Sequence, residues 1–113
     1  MPHIIVEYSK NLETQIEIPN MLHAMHKALA EQGIDIARIK TRGIALDHAI
    51  VGNAGTNGQM LHATLLLLEG RDDATKKQYG DILHATLKQA AATLPDCATT
   101  LEIRDMAEAT YYM

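Results

Sequence analysis

Two residues could do chemistry if the chain brings them together: Pro2, second in "MPHIIVEYS", and Arg71, in "LLLLEGRDD". A small residue such as proline at position two favours removal of Met1, which leaves a secondary amine at the mouth of whatever element starts there. An α-amino group ordinarily titrates at roughly 7.7–8.0, so burial and nearby cations can hold it neutral near neutral pH. A neutral amine close to its own pKa is an efficient general base. The plainer reading is that Pro2 merely starts an edge strand. Arg71 also has two readings: a solvated loop arginine, or a clamp whose planar guanidinium pairs bidentately with a carboxylate.

The other reactive side chains read as structural. His23 and His26 stand three apart and could share a helix face as a metal pair, with His84 matching His23 later in the chain. No carboxylate or cysteine completes a ligand set, so helix-surface histidines are the simpler reading and no metal is expected. His3 and His62 repeat each other and read as polar neighbours on strands, or as residues flanking a pocket. Cys97, the single cysteine, has no internal disulfide partner and suits a small buried position. Asp72 and Asp73 fit the charge preference of a helix start better than an acid pair.

These residues need elements to hold them. Ile4, Val6 and Tyr8 alternate with Ile5 and Glu7, the pattern of a strand over His3 to Tyr8. Ile18, Met21, Leu22, Met25 and Leu29 then recur with helical spacing, with Pro19 suited to the first helical position and Gly33 to the stop. The stretch "IDIARIKTRGIALDHAIVG" alternates loosely and predicts a second strand, long or bent at Gly43. "GNAGTNGQ" is a turn or loop by composition. "MLHATLLLLE" is apolar at nearly every position, as in a strand covered on both faces. Tyr79, Ile82, Leu83, Leu87, Ala90, Ala91 and Leu94 trace a second helical face, capped by Asp72 or Asp73 and ended near Pro95. "TTLEIRD" predicts a last short strand.

The order strand, helix, strand therefore occurs twice, and the letters agree. "MPHIIVEY" aligns with "MLHATLLL" at an offset of 59, and "LHAMHKAL" aligns with "LHATLKQA" at an offset of 61. Matches in order and on corresponding elements predict a duplicated unit, with repeats over about 2–58 and 59–113 of a single domain. The expected fold is α+β: tandem β-α-β units forming one four-stranded mixed sheet with both helices on one face. The other sheet face then needs covering, which predicts an oligomer.

A formal net charge of −4 argues against nucleic acid and anionic membranes as partners, although a local cationic pocket fits within it. The chain lacks both the features of a signal peptide in its first nine residues and any apolar run near the roughly 20 residues that span a bilayer. A cytoplasmic protein is the expectation. Without Phe or Trp, its core must be built from Ile, Leu, Val, Met and Ala.

"LLLLEGRDDATKKQ" resembles the first strand and loop of 4-oxalocrotonate tautomerase, in which an N-terminal proline is followed ten residues later by an arginine in an "LEGR" setting. Ten residues before Arg71 is Leu61, where the repeat places the counterpart of Pro2. The first half keeps the proline but has Leu12 where the arginine would fall. That division resembles the longer, fused members of the tautomerase superfamily, and "MPHIIVEYS" is most similar to the 5-carboxymethyl-2-hydroxymuconate isomerase family. The similarity extends through the basic "IARIKTRG" segment, the "EGR" loop and the length.

The resemblance implies a proline base, with cations from the second strand and the loop binding the carboxylate and keto groups of a small carboxylated substrate. By position these cations are Lys40 and Arg71, with Arg42 two residues further along the same strand; the family's second-strand arginine is thus a lysine here. It implies keto–enol tautomerisation of an unsaturated 2-hydroxy-dienoate from aromatic (homoprotocatechuate) breakdown, with no metal or organic cofactor, in a homotrimer. The alternatives are another tautomerase-superfamily activity, of phenylpyruvate-tautomerase or dehalogenase type, and a non-catalytic oligomeric binding protein.

Overall fold

Residues 1–113 are described by a computed structural model, in which the strands form where the side chains alternate. In strand β1 (His3–Ser9) the residues Ile4, Val6 and Tyr8 are buried, while His3, Ile5 and Glu7 point to the other face. Strand β3 (Met60–Leu68) repeats this with Leu61, Ala63, Leu65 and Leu67. Between them lie helix α1 (Ile18–Ala30) and strand β2 (Lys40–Leu46), and after β3 come helix α2 (Asp73–Ala90) and strand β4 (Ala98–Met106).

The sheet order is β2-β1-β3-β4. The two outer pairs, β1 with β2 and β3 with β4, are parallel, and the central pair is antiparallel. A parallel pair needs a crossover, and each helix supplies one. Both helices lie on one face, so a single core joins Ile4, Val6, Leu61 and Leu65 to Met25, Leu29, Leu83 and Leu87. No helix is long and apolar enough to cross a membrane.

Helix α1 carries Pro19 in its first turn, where a missing N–H breaks no helical bond. It buries Ile18, Met21, Met25 and Leu29. Helix α2 is capped by Asp72, whose carboxylate accepts the Thr75 N–H at 2.8 Å, and it buries Tyr79, Leu83 and Leu87. Met21, Met25 and Leu29 thus find their packing counterparts in Leu83, Leu87 and Ala91, an offset of 62. The letter match between the helices runs one residue out of this register. One residue turns a helical side chain by about 100°, so packing and not lettering sets the correspondence.

The second strand is shorter than its sequence pattern. Ile36–Arg38 forms a 3₁₀ turn, because the Asp35 carboxylate takes the Ala37 N–H at 3.0 Å and holds the backbone away from the ladder. The strand begins only at Lys40. Gly43 lies within it to admit helix α1: a Cβ there would sit 3.1 Å from Leu22 Cδ1. In the other unit the glycine is on the helix, where a Cβ on Gly80 would sit 3.1 Å from Ile103 Cδ1.

The sheet face away from the helices displays Ile5, Thr64 and Leu66 in the middle and charged residues such as Arg42, Glu102 and Arg104 on the outer strands. Ile44 on this face is 45% exposed, and Arg104 pairs with Glu102 at 2.9 Å.

Candidate active site

The antiparallel centre of the sheet decides which reactive residues become neighbours. His3 pairs with Leu66, so the start of β1 lies beside the end of β3, where the chain runs on through Glu69 and Gly70 to Arg71. His3 also pairs with Lys40 in the parallel direction. One end of the sheet thus receives Pro2 from the first unit, Arg71 from the second, and Lys40 from the start of β2.

Pro2 is fully buried, and its carbonyl accepts the Lys40 N–H at 3.0 Å, which ties the mouth of β1 to β2. Having no N–H, it leaves no ladder donor unpaired. Arg71 follows Gly70, whose φ of +119° turns the chain in a way that side chains rarely allow. The Arg71 guanidinium donates to the Leu68 carbonyl at 3.5 Å and lies 5.9 Å from the ring centroid of buried Tyr79. That placement fixes the cation at the site's edge with part of its surface free.

Lys40 is exposed, with its Nζ 3.4 Å from the Arg38 carbonyl. Burial lowers the pKa of the Met1 amine first, and then the charges of Arg71, Arg38 and Lys40 push it further down. The chain terminus therefore lies within the field of three cations. Arg38 was not singled out in the sequence. The available signal was the spacing Arg38, Lys40, Arg42, which would set three cations on one side of an extended segment.

Arg42 is placed differently. Its guanidinium donates to His3 Nδ1 at 3.0 Å on the sheet face away from the helices. His3 Nε2 lies 2.8 Å from the Tyr111 hydroxyl, and the two rings meet edge-on at 5.8 Å. A guanidinium can only donate, so Nδ1 must accept, which assigns the proton of the neutral ring to Nε2. Burial lowers the His3 pKa, as do the charges of Arg42, Lys40 and the chain terminus, all of which favour the neutral ring.

At the other end of the sheet the positions equivalent to Pro2 and Arg71 are Leu61 and Leu12, both fully buried. Asn11 closes that end by donating to the Gly58 carbonyl at 3.0 Å, and the Ser9 hydroxyl accepts the Met60 N–H at 3.0 Å.

The remaining histidines bond within the fold. His26 Nδ1 lies 2.7 Å from the Thr41 hydroxyl and His84 Nε2 3.1 Å from the Thr99 carbonyl, and no group of three or more His, Cys, Asp or Glu side chains converges. Cys97 is half-buried rather than buried, at the bend into β4, and burial raises its thiol pKa, which keeps it a poor nucleophile.

An amine of depressed pKa among arginine and lysine side chains can move a proton on a substrate whose negative charge those side chains hold. Comparison with known proteins identifies the family. Residues 2–113 match the family described as 5-carboxymethyl-2-hydroxymuconate isomerase. A 5-carboxymethyl-2-hydroxymuconate Delta-isomerase of Escherichia coli is 28% identical over 110 residues, spanning 94% of this chain and 87% of that protein. The crystal structure of a 5-carboxymethyl-2-hydroxymuconate isomerase from Deinococcus radiodurans R1 superimposes with a TM-score of 0.89 at 24% identity, over 99% of this chain and 87% of the other. A fused 4-OT asymmetric trimer shares the fold at a TM-score of 0.71 and 16% identity, over 98% and 91% of the two chains. With nearly its whole length matched and the tautomerase fold in place, the chain belongs to the 5-carboxymethyl-2-hydroxymuconate isomerase family and is an isomerase.

Proposed function

We propose that this protein isomerises an unsaturated 2-hydroxy-dienoate such as 5-carboxymethyl-2-hydroxymuconate, in the breakdown of aromatic compounds, with the amine of Pro2 as the base. The observation that carries this reading is the meeting of Arg38, Lys40 and Arg71 around the chain terminus, beside a fully buried Pro2. Removal of Met1 turns the proline nitrogen from an amide into a secondary amine inside that field. The cations hold the substrate's carboxylates. The neutral amine takes the proton from the 2-hydroxyl, and the oxygen's electron pair forms the carbonyl while the diene's double bonds shift. The same ammonium then returns the proton to carbon, giving the conjugated ketone. Arg71 and Lys40 stabilise the charge that develops on oxygen, and the proton balance closes without a metal or organic cofactor.

The chain works in this reading as a homotrimer, with the helix-free sheet face turned inward. The exposed Ile44 and half-buried Ile5 on that face support this, as does the likeness to fused 4-OT chains described as trimers. Solution scattering tests the trimer.

Intact-protein mass spectrometry tests the processing, and a native mass lacking Met1 is expected. Replacing Pro2 with Ala is expected to lower kcat/KM on the hydroxymuconate by about 10² to 10⁴, the range of a general base, while circular dichroism stays unchanged. A retained Met1, or unchanged turnover in the Pro2→Ala protein, would remove Pro2 from the mechanism.

A further inference from the structure

The geometry points to His3 as a positioning residue: its imidazole, bonded through Nε2 to Tyr111 and through Nδ1 to Arg42, lets the C-terminal segment set where the Arg42 guanidinium meets an anionic substrate. This rests on the proposed function in taking the cationic end of the sheet as the substrate site, and it adds Arg42, which shares a face of β2 with Lys40, to the cations there.

The C-terminal segment is secured on its way to His3. After β4 the Glu108 N–H donates to the Glu69 carboxylate at 2.6 Å, Glu108–Thr110 forms a 3₁₀ turn, and Tyr111 then lies half-buried against His3. Beyond it Tyr112 and Met113 are 89% and 87% exposed. The anchoring of the segment therefore ends at the residue that bonds His3. Glu69 precedes Gly70 and Arg71, so the segment is fixed at both sides of the site, at the loop that carries Arg71 and at His3, the strand residue that follows Pro2.

The chain of bonds has a direction. Arg42 can only donate, His3 Nδ1 must accept, and the remaining ring proton must go to the Tyr111 oxygen. Losing the Tyr111 acceptor weakens the preference for this tautomer, and the other tautomer would turn an N–H toward the guanidinium. His62, at the equivalent position of β3, bonds a neutral hydroxyl, Thr100 Oγ1 at 2.7 Å, and so needs neither tautomer in particular. The charged groups facing His3 are Arg42 and Lys40 from β2 and the chain terminus; the C-terminal segment adds Tyr111, and β3 presents uncharged Leu66. Protonating His3 would therefore place a cation among cations and free Arg42.

Nitrogen NMR of histidine-labelled protein tests the assignment without any turnover, so it stands apart from the role of Pro2. His3 is expected as the neutral Nε2–H tautomer at pH 7 in the native protein and as a mixture in Tyr111→Phe. A protonated or Nδ1–H ring in the native protein overturns the proposal. On 5-carboxymethyl-2-hydroxymuconate, Tyr111→Phe and His3→Leu are expected to raise KM about 3- to 10-fold with kcat within about twofold, the scale of one hydrogen bond. His3→Asn, whose amide oxygen can replace Nδ1 as acceptor, is expected to restore KM to within about twofold of native. Equal KM values for the Asn and Leu proteins would show that His3 only fills space. Should the hydroxymuconate not be turned over, the affinity for its saturated analogue is read in the same three variants with the same expected order, and a flat series again defeats the proposal.

Discussion

The two ends of the sheet begin from corresponding residues and finish as opposites. At one end stand a buried Pro2, Arg71 and Lys40, with Arg38 adding to the field and the Lys40 and Arg38 side chains exposed. At the other, Leu61 and Leu12 occupy the positions of Pro2 and Arg71, both fully buried, and Asn11 staples the loop at Gly58. A Cβ on Gly58 would run into Val51 Cβ, so that loop has no room for an added side chain. The difference teaches that the fold supplies two geometrically related corners, and that side-chain choice makes one a cluster of cations and the other a piece of core. In the proposed mechanism the first corner presents an amine once Met1 is removed. An internal proline has none.

This contrast can be broken from either side. The largest effect is expected from Leu12→Arg, which puts a charge into the apolar corner without a partner. It should cost about 3–5 kcal/mol of stability in urea unfolding, the range for an uncompensated buried charge, and add no activity. Arg71→Leu makes the reverse change. Loss of one preorganised charge at the developing oxyanion should lower kcat/KM by about 10² to 10³. The same variant has a pH signature. Arg71 pushes the Met1 amine down, and in the proposed mechanism the same charge acts on the Pro2 amine freed by loss of Met1, so its removal should raise that pKa and move the acid limb of kcat/KM to higher pH. A limb that stays in place would separate Arg71 from the amine.

Smaller effects sharpen the comparison. Arg38→Ala and Lys40→Ala should each raise KM about tenfold, as expected for one charge-assisted contact. A change in only one of them would identify which cation faces the substrate. Least of all is expected from His62→Leu, in the half without the amine, where kcat/KM should stay within about twofold while the same change at His3 alters KM.

Much of this was legible in the sequence because burial imposes a period. The alternation in β1, the helical stripes of α1 and α2, and the apolar run of β3 each follow from a face that must meet the core. The doubled order of elements also foretold a mixed sheet. The beginning of β2 was not legible: Ile34, Ile36 and Ile39 read as strand, but the Asp35 side chain competes for the backbone and makes a turn. The helix correspondence slipped by one residue because matching letters carry no information about which side of the helix is buried. For the site, Pro2 and Arg71 stood out by chemistry and spacing. Arg38 did not, since its place by the chain terminus depends on that 3₁₀ turn, and the bond between His3 and Tyr111 joins residues 108 positions apart.

The exchanged glycines have a consequence for how such a chain can be recombined. Over Gly43 the large partner is Leu22 of the helix; over Gly80 it is Ile103 of the strand. In the register that the cores share, Gly80 corresponds to Ile18 and Leu22 to His84, so α1 moved alone onto β4 would set Ile18 where Gly80 leaves room for Ile103, and α2 moved alone onto β2 would set His84 in place of Leu22 over Gly43. Carrying helix and strand together keeps every protrusion with its own recess. The smallest interchangeable piece of this protein is therefore a whole β-α-β unit, and a gene shuffled at finer grain should yield chains that do not pack.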